Sequence, residues 1–186
     1  MKKIVYFLSL ACLFSFSQNE INLDQSIVKW TGAQLSGKSH YGTLSFKSAS
    51  LSFTDNRLVG GRFVVDMTSL SVDDLTGRGK KSLEGHLKAD DFFSVNDFNF
   101  SELKLNTVGV VSENEYSAEG DLTIKGYTHK AKVSFYTEED SRNIKARLVF
   151  DRSKYDVRYG SGSFFENLGN KLILDDIELE VTLVMM

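Results

Sequence analysis

Few side chains in this chain suit acid–base or metal chemistry: it has three histidines and one cysteine. His86 and Asp90 stand four apart and would share one face of a helix, the spacing of a metal pair. Two ligands are not a site, and a capping or surface role explains them as well. His40 lies in a Gly- and Ser-containing approach to a strand, and His129 lies near a turn. No nucleophile-elbow pattern supports a Ser/His/Asp triad. Gly77-Arg78-Gly79-Lys80 lacks the Walker spacing and a preceding βα unit. Glu138, Glu139, Asp140 and Ser141 read as a solvated acidic turn. The chain is therefore expected to be a non-enzyme with no cofactor and no metal.

The aromatic residues are more informative. Phe92-Phe93 closes a stretch with helical character, and Phe164-Phe165 closes the Gly160-Ser161-Gly162-Ser163 loop, with Tyr155 and Tyr159 before it. Aromatics clustered on connections either plug the ends of a barrel or line the entrance to an apolar tunnel. In the second case Arg152, Lys154 and Arg158 would offer charge-assisted bonds to an anionic headgroup.

The elements that must position these residues are mostly strands, because nearly every segment alternates with period two. Val28, Trp30 and Gly32 share one face, then Gly42, Leu44 and Phe46. After Ser48 the apolar parity switches to Ala49, Leu51 and Phe53, the mark of a bulge or bend. Thr54-Asp55-Asn56 is a turn. Val59, Gly61, Phe63, Val65 and Met67 are expected inward on the third strand. Residues 72–93 read as the one helical region, with Asp73 and Asp74 as candidate caps and a break near Gly77 or Gly79. Phe98, Phe100, Leu103 and Leu105 mark a fourth strand with another phase change. Tyr116 to Ile124 mark a fifth, and Lys125-Gly126 a tight turn. Ala131, Val133 and Phe135 mark a sixth; Ile144, Ala146, Leu148 and Phe150 a seventh. Ile173, Ile177, Leu179, Val181 and Leu183 mark an eighth, with Asp175 breaking the inner row.

Eight alternating strands with short turns suggest an up-and-down antiparallel barrel or a sandwich. The inward rows include Gly42, Gly61, Ala118, Gly120, Ala131 and Ala146. These either leave room for a ligand or fit the taper of a filled barrel, and periodicity does not decide between the two.

The 186 residues carry a net charge of −3 and a sequence pI near 5.7. That charge excludes a nucleic-acid binder, which needs a basic face. With 41% hydrophobic and 25% charged residues, a disordered chain is excluded too. Lys2 and Lys3 followed by the apolar run 4–16 form a leader too short to cross a bilayer. Ser15-Phe16-Ser17 places small residues for a cut before Gln18. A lipoprotein cut at Cys12 would want Leu where Ser9 stands. Residues 1–17 are thus expected to be a signal peptide, and 18–186 one exported domain without a disulfide.

Several motifs, in order and suitably spaced, carry a resemblance. They are Val28-x-Trp30, Ser39-His40-Tyr41-Gly42, and Gly60 through Met67 with Ser69-Leu70. Leu83-x-Gly85 through Phe93, Gly120 through Gly126, Asp151-Arg152-Ser153-x-Tyr155, and Asp175-x-Ile177 with Leu179 follow. Over nearly the whole mature length the chain resembles the YceI-like family of exported lipid-binding proteins. It departs at Asp97-Phe98-Asn99-Phe100, where the family often has a proline.

The resemblance implies an eight-stranded antiparallel lipocalin-like barrel with one helical insertion between strands 3 and 4. Its tunnel would hold an isoprenoid-type or other long apolar lipid. Parity and the aromatic clusters then place Trp30, Phe63, Val65, Leu122, Val133, Ala146, Leu148 and Ile177 along the tunnel. Phe92, Phe93, Tyr155, Tyr159, Phe164 and Phe165 fall toward its mouth, and His40, Arg152 and Arg158 are headgroup candidates. Such a protein would sit in the bacterial periplasm or be secreted, without stable membrane insertion, and a homodimer is compatible with it. Two other readings differ in kind. A filled barrel would serve as a structural or stress-related module with a protein partner. An enzyme acting on a lipid or quinone would need Arg152, Asp151, His40 and His86 to meet.

Overall fold

In a computed structural model, residues 16–137 and 142–186 are described. Most of the expected leader and the acidic turn at 138–141 lie outside the described residues. The strands are β1 (Phe16–Gln34), β2 (Ser39–Thr54), β3 (Arg57–Val72), β4 (Phe100–Ser112), β5 (Glu115–Ile124), β6 (Tyr127–Thr137), β7 (Asn143–Asp151) and β8 (Ile173–Met185). One helix, α1 (Gly77–Lys88), stands between β3 and β4. Each strand pairs antiparallel with the next, and β8 returns to β1, so the sheet closes as a barrel. Closure leaves no strand at a sheet edge along most of the wall.

The alternating residues decide which side faces in. Tyr116, Ala118, Gly120, Leu122 and Ile124 of β5 are all buried, with more exposed residues between them. In β7 the buried set is Ile144, Ala146, Leu148 and Phe150. The parity switch in β2 is a bulge: Phe46 pairs with Val65 and Ser48 with Val64, leaving Lys47 extra. The two-residue turns Asp55-Asn56 and Lys125-Gly126 have positive φ at both positions. That conformation follows the twist of the strands it joins.

Three expectations are corrected. Val59 is exposed and Leu58 is buried in its place, because Ser52 pairs with Gly60 and Phe53 with Leu58, so that Val59 is the extra residue of a second bulge. Phe98 lies between a turn and β4, and Phe100 faces outward beneath the Lys47 ammonium, 5.2 Å from its ring. The phase change read there is the strand's own start, since the register with β3 runs unbroken from Phe100 to Lys104. The helix is shorter than residues 72–93 and unbroken, and its N-cap position is Thr76. Asp73 and Asp74 are engaged elsewhere: Asp73 accepts from Thr43 and Ser71, Asp74 from the Tyr41 N–H.

The structure also shows what the small inward residues do. A Cβ on Gly42 would lie 1.8 Å from the Ser71 carbonyl oxygen and 2.8 Å from Trp30 Nε1. One on Gly120 would lie 2.5 Å from the Lys104 carbonyl oxygen. These glycines let neighbouring backbone close in; they do not open space for a ligand. Of the small inward set, Ala146 alone lines the cavity described below.

The helix sits over the end of the barrel where β1, β3, β5 and β7 finish. Glu84 accepts the Val72 N–H at 3.0 Å, and Lys88 donates to the Thr68 carbonyl at 2.8 Å. The opposite end is filled by Ile21, Leu51, Leu58, Tyr116 and Ile144, all buried. Gly42→Ala should therefore force Ser71 and Trp30 apart. The expected loss is about 2–3 kcal/mol, within the usual range for overpacking, seen as a fall in the urea midpoint without a change in slope.

Candidate functional site: an apolar cavity under the helical cap

The barrel interior is not filled. A cavity of about 270 Å³ runs from the helical cap into the strands, with an almost wholly apolar wall. Trp30, Phe63, Val65, Leu122 and Val133 line it, as the sequence parity predicts, and so do Ala146, Leu148 and Ile177. The Trp30 indole N–H is bonded to the Ser71 carbonyl at 3.0 Å, so Trp30 offers only its ring face. Phe92, Phe93 and Tyr159 form part of the cap. Tyr159 lines the cavity while 48% exposed, which marks the mouth.

Arg152 and Tyr155 lie elsewhere. Tyr155 is buried away from the cavity wall, edge-on to Phe150 and His129 with centroids 5.6 and 5.2 Å apart. Burial pushes its hydroxyl up to about 12. Arg152 is wholly buried and does not offer its charge to a headgroup. Its guanidinium donates to the carbonyls of Leu174, Val157, Tyr159 and Ile173 at 2.9–3.2 Å. It lies 3.3 Å from Asp175 Oδ1, a charge contact without hydrogen-bond geometry, and 5.5 Å from the Phe92 ring centroid. Burial lowers its pKa, and the carboxylates of Asp175 and Asp151 oppose that. Asp175, which breaks the inner row of β8, also accepts from Ser163 Oγ at 2.7 Å. A guanidinium spent on so many carbonyls is a structural node.

Arg158 is on the surface, paired with Asp156 and 5.1 Å over the Phe164 ring. Phe164 and Phe165 are exposed and outside the cavity wall.

Besides Trp30, the polar residues that line the cavity are Gln34, His40, His86, Ser101, Glu102 and Tyr159. His40 Nδ1 is 2.7 Å from Asp74 Oδ2, and Asp74 Oδ1 accepts the Tyr41 N–H at 3.1 Å. Burial alone would raise the Asp74 carboxyl, but the His40 and Tyr41 bonds outweigh it and hold it below the ordinary value. His86 is four positions from Asp90 but does not pair with it. The helix ends at Lys88, and Asp90 turns to Ser94 Oγ at 3.4 Å. Among the described residues no three His, Cys, Asp or Glu side chains gather as a metal site.

Leu83, Leu87 and Ile173 also line the cavity, beyond the residues the sequence assigns to it. The first two were accessible: Leu83, His86 and Leu87 follow the i, i+3, i+4 stripe of a buried helix face. Ile173 was marked only as an inward strand residue, and its place in the wall depends on how the 152–172 connection folds back.

A closed eight-stranded antiparallel barrel with an apolar, capped interior defines a lipocalin-like binding fold. The YceI-like domain matches residues 20–185, and the chain belongs to that family. No curated protein sequence matches it. BcnA of Burkholderia cenocepacia superimposes with a TM-score of 0.69 at 20% identity, over 90% of this chain and 100% of BcnA. A polyisoprenoid binding domain from Saccharophagus degradans, implicated in plant cell wall breakdown, gives 0.57 at 11% identity, over 93% and 98%. The Campylobacter jejuni YCEI protein gives 0.55 at 16% identity, over 76% and 82%.

Two expectations follow. Arg152→Met should destabilise the fold by about 3–5 kcal/mol, because Asp175 is left near an empty place and the cap carbonyls lose their donors; chemical denaturation reads this. The lowered Asp74 carboxyl contributes stability that is present above its unfolded-state value and is lost as pH falls through its folded-state value. Asp74→Asn should therefore flatten the acid limb of a melting-temperature profile below about pH 4, and an unchanged acid limb would count against the His40–Asp74 pair.

Proposed function

We propose that this chain is an exported binding protein that holds an isoprenoid-type or other long apolar lipid in its barrel. The observation that carries the reading is the cavity itself: about 270 Å³, bounded by Phe, Leu, Val and Ile side chains under a cap. Its size is near the lower end of ligand pockets, about 300 Å³, so a long chain would continue through the mouth beside Tyr159. Each buried methylene is worth about 0.8 kcal/mol, and affinity would come mainly from that burial. The S. degradans neighbour, described as a polyisoprenoid binding domain, supports the choice of ligand. The leader at residues 1–17 supports export, and N-terminal sequencing should find Gln18 first. A start at a lipid-modified Cys12 would contradict it.

Binding is favoured over catalysis because the polar groups of the lining are not joined into one cluster: His40 Nδ1 is bonded to Asp74, Glu102 takes two bonds from Arg62 at 2.8 and 3.0 Å, and His86 Nε2 has no partner. A barrel that serves only as a surface for a protein partner has no need of an apolar interior left open.

Ala146 tests this directly. It is buried, lines the cavity, and faces Phe135 and Val181 across the neighbouring strands. Ala146→Trp should fold with a melting temperature near the parent's and should lose the lipid that an organic extract of the parent shows by mass spectrometry. A filled interior would instead cost about 1–3 kcal/mol on substitution, with no lipid from either protein, and that result would refute the proposal.

A further inference from the structure

His86 Nε2 is buried and has no hydrogen-bond partner, yet its residue forms part of the cavity wall. A buried polar atom left unpaired costs free energy. The surrounding groups do not relieve it. The Phe92 ring stands 5.6 Å away, and the Tyr159 ring 4.2 Å away at 73°. The other polar groups near the mouth are at least partly engaged: His40 Nδ1 meets Asp74, Gln34 Oε1 accepts from Ser36, and the Trp30 N–H is given to Ser71.

The Tyr159 ring that stands against His86 lies at the surface. The Tyr159 carbonyl is held by Arg152 at 2.9 Å, which fixes the backbone, while the Tyr159 residue is 48% exposed. Rotation of that side chain into solvent would uncover His86 without disturbing the cap.

The wall also restricts what could arrive there. Among the described residues no lysine or arginine lines the cavity. A diphosphate drawn inside would lose its water without gaining a cation, which is costly. An uncharged oxygen needs only one hydrogen bond.

We propose that His86 Nε2 is the polar anchor of the cavity and that Tyr159 is its side-chain cover. The anchored group is an uncharged oxygen, hydroxyl or carbonyl, on a long apolar chain. This rests on the carrier reading and goes beyond it by naming the head that the site selects. The two oxygen types place different demands on the ring: a carbonyl requires Nε2–H as donor, whereas a hydroxyl is served by either tautomer.

The test is competitive binding to the mature chain of four probes with the same prenyl length: an alcohol, a quinone, a hydrocarbon and a diphosphate. Wild type should bind the alcohol, the quinone or both roughly tenfold more tightly than the hydrocarbon, the scale of one buried hydrogen bond. His86→Leu should remove that preference, with the alcohol and quinone falling to the affinity at which the same folded variant binds the hydrocarbon. His86→Gln, which keeps a donor and an acceptor, should restore part of it. The imidazole ¹⁵N resonances of His86 should shift with the oxygenated probe and not with the hydrocarbon. Alcohol and quinone arms tell the two oxygen sources apart. Hydrocarbon binding without an oxygen preference overturns this inference alone, as does tightest binding of the diphosphate or an equal loss of all probes in His86→Leu. Failure of every probe overturns the carrier reading and this inference with it.

Discussion

One guanidinium holds the capped end of this barrel together. Arg152 is removed from water entirely, which is costly for a charge unless every donor is used. Its partners come from the 157–159 turn and the first residues of β8, and the Asp175 carboxylate lies beside them. Three of the residues it fixes, Phe92 by its ring and Tyr159 and Ile173 by their carbonyls, also line the cavity. The polar core of the cap therefore lies immediately behind an apolar wall. This arrangement lets a long connection fold inward without leaving its carbonyls unpaired, and it keeps the positive charge out of the ligand space.

The barrel wall obeys a different constraint. Strands crowd at Gly42 and Gly120, where neighbouring carbonyls stand where a Cβ would be. Bulges at Lys47 and Val59 change the facing of β2 and β3 partway along their length. The cavity reaches from the cap past the middle of the barrel, to Phe135 and Leu183, while Leu51 and Leu58, beyond the bulges, pack the far end. Small residues contribute to strand packing, and the open volume arises from the separation of strand faces beneath the cap.

Strand order and facing were legible because period-two alternation is a local signal that burial enforces directly. Eight of the positions assigned to the tunnel from strand parity, from Trp30 to Ile177, do line the cavity. The Lys47 bulge showed itself as a switch in apolar parity. The Val59 bulge did not, since Leu58 and Val59 are both apolar and either could face in. The connections were harder to read. Arg152 and Arg158 are separated by only a few residues in one loop, yet one is a buried node and the other a surface ion pair. Their sequence neighbourhoods are similarly polar and aromatic, and the difference is made by the fold of the loop, which brings the Val157 and Tyr159 carbonyls together with those of Ile173 and Leu174 in β8 around Arg152. Phe164 and Phe165 likewise look like tunnel residues by composition but are held outside by the turn at Ser161, whose carbonyl accepts from both of their N–H groups.

The division between node and wall explains how a stable cap can still admit a ligand. If Arg152 bonded Tyr159 through its hydroxyl, opening the mouth would break the node. It bonds the Tyr159 carbonyl instead, so the ring is free to rotate while the backbone stays fixed. Side-chain rotation of an exposed residue takes place on the picosecond to nanosecond scale, far faster than cooperative opening of a packed element. The helix side is similarly separated. Glu84 and Lys88 bind α1 to the β3 backbone, whereas Leu83, His86 and Leu87 face the cavity. Anchoring atoms and ligand-facing atoms thus belong to different groups on the same elements. The proposed turning of Tyr159 would therefore break none of the hydrogen bonds that hold the cap on the barrel.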